Sequence, residues 1–177
     1  MPGTNYFKSK GKGRGRGRFK KDKPKDDFDQ QVIDLARVTR VMAGGKRMRF
    51  RACVVIGDKK GQVGMGIAKG ADVAIAVNKA VDKARKNLFT VQIVNDTIPH
   101  SIDSKFCGAE VMLKPARQGR GVIAGGAVRA VVEAAGIKNI VSKMRGSKNK
   151  VNNVTAVISA LKSLRTEEEI KKIKASK

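Results

Sequence analysis

Hydrophobic positions alternate with period two from Arg47 to Asp58. Met48, Phe50, Ala52, Val54 and Ile56 fall on one side, and Arg47, Arg49 and Arg51 fall on the other. That pattern predicts a strand with one core face and one cationic face. A tight turn at Gly57-Asp58-Lys59-Lys60-Gly61 leads to a second strand, in which Val63, Met65 and Ile67 form the apolar side. Gln62, Gly64, Gly66 and Ala68 form the opposite, nearly bare side, which a large body could approach closely. From Asp72, a candidate N-cap, the spacing lengthens to that of a helix. Val73, Val77, Ala80, Ala84 and Leu88 make one stripe, and Lys79, Lys83 and Lys86 make another.

Flanking segments extend this unit. Upstream, DFDQQVIDLARVTRVMAGGKR is compatible with a short helix at its start, whereas Val38 and Val41 around Arg40 favour a strand ending at Ala43-Gly44-Gly45. Gly44-Gly45 is a hairpin signal flanked by Arg40, Lys46 and Arg47. Downstream, Phe89, Val91 and Ile93 alternate before Asn95-Asp96-Thr97-Ile98-Pro99 breaks the pattern and marks a boundary. Beyond it Cys107, Ala109, Val111 and Leu113 predict a strand ended by Pro115. A Gly-rich loop, RQGRGVIAGG, precedes a helix with Val128, Val131, Val132 and Ala135 inward, an Arg129–Glu133 pair, and Gly136 as its cap. IKNIVSK reads as a strand and NNVTAVISALKSL as a helix, so this half runs strand, helix, strand, helix. Thr166 and Glu169 form a capping box for a last short charged helix. The expected division is a tail over 1–27, a first domain over 28–95, a second over 96–165 and a helical tail over 166–177.

Charge changes the picture more than composition does. The 177 residues are 41% hydrophobic, enough for real cores, but Lys and Arg number 39 against 15 Asp and Glu, a net charge of +24. Such an excess opposes folding unless a polyanion neutralises it, and nucleic acid is the leading partner over an anionic membrane. No run of about 20 apolar residues is present to span a bilayer, and no apolar segment follows the N-terminal charges as in a signal peptide, so a cytoplasmic setting is expected. Cys53 and Cys107 both sit in apolar strand-like runs and read as buried, reduced thiols. The tail KSKGKGRGRGRFKKDKPK has too little apolar surface to order itself, and its alternating Gly and Arg suit threading along phosphates. With no Trp and one Tyr, base stacking is poorly supported, which favours structured RNA read through phosphates, 2′-hydroxyls and shape.

Several other chemistries are not supported. The loop RQGRGVIAGGA lacks both the Gly-Lys-Ser/Thr ending of a Walker A loop and dinucleotide G-x-G-x-x-G spacing. His100 is the only histidine, no metal-ligand spacing occurs and no catalytic constellation is legible, so neither cofactor, metal, small-molecule substrate nor enzymatic activity is expected. The expected RNA contacts begin with Arg37, Arg40, Gly44, Gly45, Lys46 and Arg47 around the hairpin. Arg49, Arg51, Gly64, Gly66 and Lys69 continue them along the strands. Lys79, Lys83 and Lys86 add a helical stripe, and Arg117 and Arg120 charge the Gly-rich loop.

GDKKGQVGMGIAKGADVAIAVNKAVDKARKN, followed by KPARQGRGVIAGGAVRAVVEAAGIKNIVSKMRGSKN, resembles the bacterial small-subunit ribosomal protein S-five family. The likeness covers about Val32 to Leu164, with both signatures in order. It implies an α+β fold: an N-terminal double-stranded-RNA-binding-like domain, a three-stranded antiparallel sheet plus a helix, and a C-terminal two-layer α/β domain with a left-handed βαβ crossover. It also implies a structural role in the ribosome: binding ribosomal RNA where head meets body, contacting ribosomal proteins four and eight, lining the side where mRNA enters, and influencing decoding accuracy. The family's spectinomycin-related hairpin falls on Val41 to Arg47, where Ala43 replaces the Lys that members often carry before the paired glycines. Its accuracy-related positions fall near Gly121 and Arg129, facing protein four. The alternative reading is a free-standing double-stranded-RNA binder or an RNA-remodelling factor.

Overall fold

The computed structural model describes residues 28–165; the basic tail and the last charged helix expected from sequence lie outside them. The segment with two readings is a single strand, β1 (Asp29–Met42), with a bulge between Val32 and Asp34. It turns through Ala43 and Gly44 into β2 (Gly45–Gly57), its antiparallel partner. Gly44 has φ +84°, a conformation that costs other residues energy and glycine almost nothing. β3 (Gln62–Gly70) follows after a turn in which Asp58 Oδ1 accepts from Lys60 N at 2.7 Å and Gln62 N at 2.9 Å. α1 (Val73–Lys86) comes next, and then β4 (Phe89–Thr90), a short strand at the start of the Phe89–Ile93 alternation that adds a fourth to the three implied by the family resemblance.

α1 lies on the face of the sheet that carries Ala52, Val54 and Ile56. Its buried residues are Ala76, Ala80, Val81 and Ala84, whereas Val73 is exposed and Val77 and Leu88 are only half-buried. The inward stripe is thus centred on alanines rather than on the larger residues. The strand below explains the phase: Gly64, Gly66 and Gly70 leave room for helix backbone, which only small helix residues can exploit.

The second half contains two more strands than its sequence pattern suggested, one before the Ala109–Pro115 strand and a two-residue one inside the Gly-rich loop. β5 (Ile102–Phe106) pairs antiparallel with β6 (Ala109–Pro115). β7 (Val122–Ile123), α2 (Gly126–Ala135) and β8 (Ile140–Gly146) form a parallel βαβ unit, and α3 (Lys150–Lys162) ends the described chain. Sheet order is β5-β6-β8-β7. β5 carries a weak sequence signal, because its inward positions, Ile102, Ser104 and Phe106, include one polar residue and alternate with Asp103 and Lys105. Cys107 corrects an expectation: it is exposed, in the β5–β6 turn at φ +51°, not buried in a strand.

The two sheets are not separated by a solvent-filled gap. Val55, Val63 and Val91 of the first half share one buried cluster with Val111, Leu113, Val128, Val131, Val157 and Leu161 of the second. The layers therefore run α1, first sheet, α2 with α3, second sheet. The seam is partly backbone on backbone. Lys59 N donates to Ala134 O at 3.0 Å and Gly61 N to Ala135 O at 2.9 Å. A Cβ at Gly57 would overlap the carbonyl of Ala134, and one at Gly136, the left-handed cap of α2, would overlap that of Lys59.

Candidate nucleic-acid interface

Strand register decides which cations act together. Arg40 lies opposite Arg47, Val38 opposite Arg49, and Arg51 opposite Lys69, so these residues share the face turned away from α1. Beyond the edge of α2 and α3, Arg40, Arg47, Arg49 and Lys69 line an open groove of about 380 Å³ with Val38, Thr39 and Met42. All four cations are exposed. Like charges directly across a ladder repel, so this groove has an electrostatic cost that a bound polyanion removes. At its tip Gly44 and Gly45 have no neighbouring heavy atoms near a Cβ, leaving the turn backbone open.

Arg51 is different in kind. Its Nη2 sits 3.3 Å from Asp34 Oδ2, both side chains are partly covered, and its Nε is buried without a partner. The guanidinium is held within the fold and offers less to a phosphate than Arg49 does. Cys53 follows on the same face, fully covered, and burial pushes its thiol up to about 11, with the Asp34 carboxylate adding to the effect.

Other expected contacts fall elsewhere. Arg37 pairs across from Phe50 and Lys46 from Val41, which places both on the α1 side of the sheet. Lys79, Lys83 and Lys86 are exposed on α1, so the helical stripe and the arginine groove belong to opposite sides of the first sheet, not to one surface. Gly64 and Gly66 are a correction. A Cβ on either would run into the Ala84 or Ala80 carbonyl, so the bare strand face is occupied by the protein's own helix and no RNA reaches it.

Arg117 and Arg120 are exposed in the loop between β6 and β7, with Arg120 N donating to Arg117 O at 3.2 Å. Asn139, which sequence reasoning passed over, holds this loop: its Oδ1 accepts from Gly121 N at 3.0 Å, and Ile140 N donates to Gly121 O at 3.2 Å. The available signal was a lone Asn inside the apolar run IKNI, since a buried amide needs partners. Arg129 donates to Val122 O at 3.4 Å instead of pairing with Glu133. Gly121 and Arg129 thus both brace the β7 connection. Among the described residues no group of three or more His, Cys, Asp or Glu stands close enough to hold a metal, and no helix is long and apolar enough to cross a membrane.

Fold and charge together define a class: an α+β protein of two sheets on one core, with a cationic hairpin projecting from the first and an arginine-bearing loop on the second. Residues 28–92 match the family described as ribosomal protein S5, N-terminal domain, and residues 104–174 match ribosomal protein S5, C-terminal domain. The small ribosomal subunit protein uS5c of Spinacia oleracea is 50% identical over 147 residues, covering 82% of this chain and 48% of that relative. The chain belongs to the ribosomal protein S5 family, whose members are structural, non-enzymatic constituents of the small ribosomal subunit. It spans about half the length of the curated relative it matches.

Proposed function

We propose that this chain acts in translation by binding ribosomal RNA through the β1–β2 hairpin groove, and that it helps hold the head of the small subunit relative to its body. The observation that carries the reading is the cluster of Arg40, Arg47, Arg49 and Lys69 on one projecting face, with like charges opposed across the ladder. Lys79, Lys83 and Lys86 on α1 supply a second, independent RNA contact from the other side of the sheet. Arg117 and Arg120 add RNA contacts on the second half, beside Gly121 and Arg129, which lie at the interface with ribosomal protein four and influence decoding accuracy; the chain also contacts ribosomal protein eight. In the same reading the protein borders mRNA on the side where it enters, and works in cytoplasmic ribosomes.

Sedimentation of a cell extract tests the core of this proposal. The expected result is co-migration with small subunits in a sucrose gradient; a protein found only in the free fraction refutes it. Tight binding by the pure chain to arbitrary duplexes, with no preference for small-subunit RNA, would favour a free-standing duplex binder instead.

A further inference from the structure

The second sheet is the last layer of the molecule, and only one of its faces is covered. Ala109, Val111 and Leu113 are fully buried toward α2 and α3. Register places the alternate residues on the other face in three cross-strand rows: Lys105–Glu110–Arg145, Asp103–Met112–Lys143 and Lys114–Val141–Ile123. A solvated face of an antiparallel sheet is ordinarily polar. Here Met112, Val141 and Ile123 occupy its middle and one edge, and Ile123 is 45% exposed.

Four cations surround these apolar groups against two carboxylates. Arg145 takes up one carboxylate, at 3.6 Å from Glu110, and extends across the face to within 3.6 Å of Met112 Sδ. Among the described residues Lys105, Lys114 and Lys143 take part in no ion pair, leaving three free ammonium groups around an apolar centre. A flat sheet offers no concavity for a small anion. It does offer apolar area for ribose and base edges, with lysines placed to meet the phosphates beside them. No mechanism described for the hairpin groove uses this face, from which it is separated by the α2–α3 layer.

We infer that the outer face of the second sheet is a further RNA-docking surface, with Met112, Val141 and Ile123 against sugar and base edges and Lys105, Lys114 and Lys143 on the backbone. The inference rests on the RNA-binding reading above, and its test separates the two. Binding of the full chain to small-subunit ribosomal RNA is measured across a salt series for Lys114→Glu/Lys143→Glu and, in parallel, for Arg47→Glu/Arg49→Glu. The sheet-face variant is expected to bind roughly tenfold more weakly at physiological salt and to lose about two units of log–log salt slope, close to one per phosphate contact. Unchanged affinity and slope in that variant, while the groove variant weakens, overturns the sheet-face inference alone; no change in either overturns the RNA-binding reading itself. A photo-crosslinking amino acid at Val141 gives a readout that does not depend on variant stability. Adducts with ribosomal RNA in reconstituted subunits support the assignment, and adducts only with protein, or none, overturn it.

Discussion

Gly66 shows how a single missing side chain can set the position of a helix. Its backbone lies so close to Ala80 that a Cβ would overlap the carbonyl oxygen and crowd Ala84 N. Gly66→Ala is therefore expected to destabilise the fold by about 2–3 kcal/mol, because α1 must lift from the sheet and give up buried area at Ala76, Ala80 and Ala84. A thermal melt followed by circular dichroism checks this; an unchanged midpoint would mean that the helix has slack. The two cysteines make a second residue-scale prediction. Cys107 is exposed, whereas Cys53 is buried with its thiol pushed up to about 11, so the native protein should react with one equivalent of a thiol reagent near neutral pH and with two after denaturation. The linkage has a sign as well. The unfolded thiol ionises near 9 and the folded one only near 11, so stability contributed by keeping Cys53 neutral is complete below pH 9 and declines across that alkaline window.

At the scale of elements, the β1–β2 hairpin and α1 are two cationic surfaces separated by a sheet. Arg47→Glu/Arg49→Glu and Lys79→Glu/Lys83→Glu should each weaken RNA binding and lower its salt slope, by about 0.9 per lost contact on the duplex-DNA scale. Because the sites share no residues, their effects should add in the quadruple variant to within about 0.5 kcal/mol, which titration against small-subunit RNA measures directly. Strong non-additivity would mean that one phosphate path wraps both faces. Arg51→Glu is a poor probe of the same question, since it places a carboxylate beside Asp34 and perturbs folding.

At the scale of the whole molecule, the two halves recognised by separate family descriptions complete one another's core. Residues 28–95 alone would expose Val55, Val63, Val91 and half-buried Met65, all of which pack on the second half. We expect that fragment to melt well below the full chain, or to aggregate, in calorimetry and size-exclusion chromatography. A fragment as stable as the intact protein would show that the seam through Gly57, Lys59, Ala134 and Gly136 adds no support. One ion pair near this seam has a pH signature: Asp29 is held below its usual value of 3.8 by the hydrogen bond and charge of Lys59. Its contribution is present above about pH 4 and is lost as pH falls through the lowered value.

Much of this was legible in the chain as a string. Period-two alternation from Met48 to Ile56 announced β2, the Gly44-Gly45 pair announced the hairpin, and a charge of +24 with no Trp and one Tyr pointed to RNA read by shape and phosphate. Those signals are local or summed, and local propensity and net charge do not depend on what packs against what. What only tertiary structure decided is the occupant of each face. A bare strand face at Gly64 and Gly66 accepts a bulky neighbour, but whether that neighbour is RNA or the protein's own helix is settled by where α1 returns, a non-local fact. The same holds for Val55 and Cys53, whose strand face is cationic at the hairpin and apolar under α2 and α3. It holds also for Arg51, which alternation grouped with Arg49 until Asp34 came alongside it from β1. The sequence determined that the chain has a core side and an anion-seeking side; burial against distant segments decided which cations remain free to face RNA.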